Sequence, residues 1–218
     1  MNISKPDKNT AAERLERELS LARSCRLCEG TLPLGPRPVL RGKASARMLI
    51  VGQAPGTKVH RTGLPWNDPS GDRLRKWMGI DRDRFYDESR IAIIPMGLCY
   101  PGRDSRGGDL PPRPECAPLW HPRLRPLFPH IRLTLLVGRY AHQYYLGERC
   151  GPDVTETVRR WKHYLPEFLP LPHPSFRNLL WLRRNPWFEA EVIPALRAMV
   201  AELLETAEKQ DNGNHSGQ

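Results

Sequence analysis

The stretch Arg47-Met48-Leu49-Ile50-Val51-Gly52-Gln53-Ala54-Pro55-Gly56 runs an apolar segment straight into a turn of two glycines and a proline. The apolar part reads as a short buried strand, and the turn as the loop at its carboxyl end, where open α/β sheets build their sites. Far downstream, His173-Pro174-Ser175 follows a second apolar segment, Phe168 to Leu171, which Pro170 interrupts. Two such loops predict one site assembled from distant parts of the chain.

Working outward, Ile91 to Ile94 and Leu133 to Val137 are further strand candidates. Helical spacing falls between them. Ala11 to Ala22 carries Leu15, Leu19 and Ala22 on one face, and Asp68-Pro69-Ser70-Gly71-Asp72 opens a helix with Leu74, Trp77 and Met78 inward, the Asp capping its orphan amides. Helices are also expected over roughly 114–128, 140–146 and 154–164. A long one follows over 186–209, with Phe188, Val192, Leu196, Met199 and Leu203 on one face and a bend at Pro194. Strands alternating with helices predict an α/β fold: a three-layer α/β/α sandwich around a central, mainly parallel four-stranded sheet. Residues 10–209 read as one domain without internal repeats, and the polar, aperiodic segments 1–9 and 210–218 are expected to be disordered.

With 218 residues and 39% hydrophobic content, the chain can close one compact core. No run reaches the ~18 consecutive apolar residues of a membrane span, and residues 1–24 are too charged for a secretory signal. A soluble, cytoplasmic protein without membrane contact is expected, and nothing calls for an obligate protein partner. Thirty-four Lys and Arg against 24 acids give a net charge of +10, which favours a polyanionic partner, nucleic acid first. A basic solvated surface is the plainer alternative. Arg103, Arg106 and Arg113, and again Arg177, Arg183 and Arg184, cluster in segments that read as loops, which suits phosphate contacts.

The glycine turn permits close backbone approach and can aim several amides at one ligand, although many α/β proteins use such a turn structurally. Its context is more specific. Residues 47–80, RMLIVGQAPGTKVHRTGLPWNDPSGDRLRKWMGI, resemble the first motif of the uracil-DNA glycosylase superfamily, closest to its iron-sulfur branch, known as family four. His173-Pro174-Ser175 resembles the second motif, and the likeness spans roughly residues 22–200. The resemblance implies a monofunctional DNA glycosylase of base excision repair. Such an enzyme hydrolyses the N-glycosidic bond of uracil or a related damaged base in DNA and leaves an abasic site.

Cys25 and Cys28 form a C-x2-C pair, with Cys99 and Cys116 further on and Cys150 left over. This layout resembles the four-cysteine site of the same branch, and implies a [4Fe-4S] cluster with a structural role. Zinc is the alternative centre, since four thiolates suit either, and plain thiols in a reducing compartment are the third reading.

Expelling a base as an anion requires donors aimed at its carbonyl. In the resemblance Gln53 and the neighbouring turn amides surround that position, with Gly52, Ala54, Pro55 and Gly56 as base-binding residues and Gln53 and His173 as the catalytic pair. A flipped base needs an aromatic surface, for which Trp66 matches, core packing being the alternative. Asn67 joins the base-binding set. Ser175, Phe176, Arg177 and Asn178 are expected to grip phosphate and fill the space a flipped base vacates. Asp68 is explained as a cap, His60 is either a phosphate contact or simply exposed, and Asn185 is either a cap or a DNA contact.

Two departures from the family pattern stand out. Ala54 replaces the water-activating aspartate of the most efficient members, as it does in the iron-sulfur branch. Pro95 replaces an asparagine that reads uracil's Watson-Crick edge, so Asn67 or a backbone group is the expected reader. A non-catalytic nucleic-acid binder on this scaffold, or an α/β enzyme of free nucleotides, remain rival readings. The turn lacks both a P-loop's Lys-Ser/Thr ending and the third glycine of a dinucleotide fingerprint.

Overall fold

A computed structural model describes residues 10–105 and 107–213, those after 205 as backbone only. The expected disordered start over 1–9, the tail beyond 213 and the loop residue Arg106 lie outside the described residues.

The strands β1 (Met48–Val51), β2 (Ile91–Ile93), β3 (Leu133–Val137) and β4 (Phe168–Leu171) form one sheet in the order β2-β1-β3-β4. Every pairing is parallel, with Ile50 beside both Ile93 and Leu135 and Leu136 beside Pro170. Pro170 is tolerated because β4 is an edge strand, where a missing N–H need not break a ladder. Strand side chains alternate between faces. Met48, Ile50, Ile93, Leu135 and Leu169 pack on one side with Leu74, Phe188 and Leu196, while Leu49, Val51, Ala92 and Leu136 pack on the other with Leu15, Leu19 and Trp120. The three-layer α/β/α sandwich with its four-stranded parallel sheet is the observed fold.

Helix α1 (Ala11–Arg23) starts at a capping box between Thr10 and Glu13, and α3 (Pro69–Met78) starts at Asp68, whose carboxylate accepts from the Gly71 amide. Between β1 and α3 lies α2 (Thr57–Thr62), and after α3 comes α4 (Arg82–Tyr86), both too short to announce themselves by periodicity. α5 (Cys116–Leu124), α6 (Arg139–Leu146) and α7 (Val154–Arg159) fall within the expected helical segments.

Past β4, the chain differs from expectation. Leu179–Arg184 form α8, which places Arg183 and Arg184 on a helix rather than in a loop. Asn185 stands directly before the helical turn that opens at Pro186, as expected, but its side-chain oxygen is taken by the Trp187 indole instead of a first-turn amide. It is buried, donates to the Trp181 carbonyl and accepts from the Trp187 indole, joining α8 to the next turn. The expected bend at Pro194 is a π-turn, Phe188–Val192, which relieves the clash between a helical proline and the preceding turn. The final helix α9 (Ile193–Gly213) runs past its expected end near 209. Among the described residues no helix is long and apolar enough to cross a membrane.

Candidate active site

In this strand order β1 and β3 are neighbours reached in opposite directions along the sheet, and the crevice at such a reversal is where ligands bind in open α/β sheets. The turn after β1 is latched to the segment after β2. The Met96 amide donates to the Gly52 carbonyl and the Gly97 amide to that of Gln53, both at 2.9 Å. Gly52 is required by crowding, because a β-carbon there would fall 2.6 Å from the Trp66 ring. The Gln53 side chain leaves the turn and donates to the Leu110 carbonyl at 3.0 Å.

Trp66 adopts a left-handed backbone (φ 56°), uncommon for an aromatic residue. Arg75 donates to its carbonyl at 3.2 Å, and a β-carbon at Gly71 would sit 1.7 Å from that same oxygen. The indole is thus held from several sides, and its centroid lies 5.7 Å from that of His173 at an interplanar angle of 31°. The rings are too close for a base to stack between them. Trp66 is also partly buried against the core, so it combines the packing role and the site-facing role.

The loop after β4 is fixed by two long-range contacts: Arg73 of α3 donates to the carbonyls of Pro174 and Ser175, and the Asn178 amide donates to the His173 carbonyl at 2.7 Å. Burial lowers the His173 pKa, with Asp68 opposing, so the imidazole is neutral at neutral pH. Phe176 is 70% exposed at the rim, and Arg177 donates to the Gly107 carbonyl at 2.9 Å.

Gly107 belongs to a small hairpin, residues 102–105 and 107–110, in which Arg103 and Asp109 pair antiparallel. The hairpin, β1 turn and β4 loop line one open cleft of about 760 Å³. Gly52, Gln53, Ala54, Pro55, Gly56, Trp66, His173, Ser175, Phe176, Arg177 and Asn178 all line it. Asn67 does not, and its side-chain oxygen instead accepts from Arg82 at 3.0 Å. Val39, Ile93 and Pro95 give the cavity an apolar part. The Pro95 carbonyl is bound by buried His121, whose other ring nitrogen meets the Tyr145 hydroxyl at 2.7 Å. Burial holds His121 neutral, with a pKa of about 4.

The motifs missed Arg73, Arg75, Asp109 and the hairpin itself. The glycines at 102, 107 and 108 among alternating charges were the available hairpin signal. His60 lies beside Tyr100, its ring centroid 6.1 Å away.

Cys25, Cys28, Cys99 and Cys116 line a separate small cavity of about 20 Å³ with Leu32, Arg113 and Trp120. The Cys116 sulfur accepts from the Leu98 amide at 3.2 Å. Burial raises the Cys99 thiol to about 11 and the Cys116 thiol to about 12. The buried Trp120 indole nitrogen has no hydrogen-bond partner. Among the described residues no three Cys, His, Asp or Glu side chains are gathered tightly enough for a single metal ion.

Residues 40–197, which hold β1 to β4 and both site loops, match the family described as the uracil DNA glycosylase superfamily. With that match spanning most of its length, the chain belongs to the uracil DNA glycosylase superfamily.

Proposed function

We propose that this protein is a monofunctional DNA glycosylase that hydrolyses the N-glycosidic bond of uracil or a related damaged base and leaves an abasic site. The observation that carries this reading is the meeting of Trp66 and His173 in a cavity bounded by both motif loops. An everted base enters beside Trp66, against the turn 52–56 and the apolar surface of Val39, Ile93 and Pro95. The turn's amides and the neutral His173 imidazole donate to the carbonyl that gains charge as the base departs. Phe176 at the rim fills the gap left in the duplex, and Arg177 with the surrounding cations meets the phosphates.

Pro95 offers no side-chain donor and its carbonyl is engaged by His121, so weak selectivity among bases of similar shape is expected. Incubation with single- and double-stranded oligonucleotides carrying uracil or other damaged bases, followed by alkali, tests the reading. Strand breaks at the modified position support it. Tight binding without breaks across the whole set contradicts it in favour of a non-catalytic binder.

We further infer membership of the iron-sulfur branch, with Cys25, Cys28, Cys99 and Cys116 holding a [4Fe-4S] cluster. The donor set fits: four thiols on one cavity, an amide N–H directed at the Cys116 sulfur, and an unpartnered indole N–H beside them. When bound, the cluster supplies no step of the reaction and ties residues 25–28 to the 99–116 segment. Anaerobically purified protein is expected to be brown, with a broad band near ~400 nm. A colourless protein containing stoichiometric zinc contradicts the inference.

A further inference from the structure

Hydrolysis needs a group that receives a proton from the attacking water, a weak nucleophile at neutral pH. None of the residues assigned above supplies it. Ala54 carries only a methyl, His173 faces the leaving base, and the Gln53 amide is occupied with Leu110.

The hairpin that pairs Arg103 with Asp109 brings a carboxylate to the same cavity. It is latched to both motif loops, through Gln53 to the Leu110 carbonyl at 3.0 Å and through Arg177 to the Gly107 carbonyl at 2.9 Å. So held, Asp109 lines the cavity with one carboxylate oxygen 3.7 Å from where a β-carbon of Gly56 would stand. An oxygen of Asp68 lies 4.0 Å from that same point. The two carboxylates flanking the glycine differ in their engagements. Asp68 spends its other oxygen on the Gly71 amide at 2.8 Å, at the N-terminus of α3, where the helix dipole favours the anion. Asp109 has a looser pairing with Arg103, at 3.6 Å, and its side chain is 44% exposed.

Burial raises the Asp109 pKa, and the Asp68 charge adds to this, while Arg103 and Arg177 oppose it. The Asp109 carboxylate is therefore more basic than an ordinary aspartate, as a proton acceptor should be.

We propose that Asp109 is a catalytic residue whose carboxylate orients the attacking water and takes its proton. The proposal rests on the glycosylase reading. As the water oxygen bonds to C1′ of the everted nucleotide, the bond from C1′ to the base nitrogen breaks. Its electron pair leaves with the base, towards His173 and the turn amides, and the water's proton passes to Asp109.

The test is single-turnover base release, with protein in excess over oligonucleotide, across pH 4 to 9. Wild type, Asp109→Asn and Arg103→Ala are compared, with binding to an abasic-site duplex as the check on folding. The wild-type rate should fall as pH drops through the raised Asp109 pKa, since a protonated carboxyl accepts nothing. Asp109→Asn should bind the duplex no more weakly, lose about 100-fold in rate, and lose the acid limb of the profile. Arg103→Ala loosens the hairpin but keeps the carboxylate, and should keep that limb. A duplex-binding Asp109→Asn variant with the rate and acid limb of an active wild type overturns this proposal alone. A wild type that releases no base overturns the glycosylase reading and this proposal with it.

Discussion

The guanidinium of Arg73, on α3, donates to the carbonyl of Ser175 at 2.9 Å and to that of Pro174 at 3.1 Å. A helix that begins at the end of the first motif thereby fixes the backbone of the second, and the position of the His173 imidazole depends on it. Removing the donor leaves two part-buried carbonyls without their charged partner.

Arg73→Ala should therefore cost about 1–3 kcal/mol in unfolding free energy and lower base release about tenfold, even though Arg73 lies outside the chemistry. Arg73→Lys keeps the charge without the fork and should fall between the two. Urea unfolding and single-turnover rates check both.

Gly71→Ala tests the seat of Trp66. The new β-carbon would lie 1.7 Å from the Trp66 carbonyl oxygen, which forces the left-handed Trp66 or the start of α3 to move. A loss of about 3 kcal/mol or more is expected, together with loss of base release. Gly30→Ala, with nothing within 4 Å of its new carbon, should be close to neutral. Thermal melts of the two variants provide the comparison.

Thr134, fully buried in β3, has a hydroxyl without a hydrogen-bond partner. Thr134→Val keeps the shape and removes the unsatisfied group, and should stabilise the protein by about 1 kcal/mol. The expected readout is a higher Tm with unchanged base release.

His121 and His142 are buried, and burial lowers both to pKa values of about 4. The unfolded chain binds these protons near pH 6.5, so their contribution to stability is complete above that value. It is lost as pH falls from 6.5 towards 4, and below that it changes no further. Each histidine accounts for a loss on the order of 3 kcal/mol at the limit. Denaturant unfolding at pH 7.5 and pH 5 should show the decline, and His142→Gln should flatten it.

The fold was legible because each strand is a compact apolar run that leads into a glycine or a proline, and because Asp68-Pro69 marks a helix start in any context. Short helices were not. α2, α4 and α8 each span only five or six residues, too few for a period to emerge. The site residues within contiguous strings, from Gly52 to Gly56 and from His173 to Asn178, were readable from sequence and line one cavity. Asn67 was included by its neighbours in sequence, yet the reversed backbone at Trp66 separates it from them and Arg82 engages it. Arg73 and Asp109 act across long separations from a helix face and a hairpin strand, where a lone charged residue looks like any solvated one.

The central claim, that a nucleobase leaves the helix for the pocket shared by Trp66 and His173, is tested most directly by fluorescence of 2-aminopurine. The probe is placed next to the target base in a duplex and mixed with His173→Ala protein, which should bind and evert the base without releasing it quickly. The account predicts a rise in fluorescence as the target unstacks, reduced when Phe176 is also replaced by Ala. Binding with no change in fluorescence at saturating protein would contradict it.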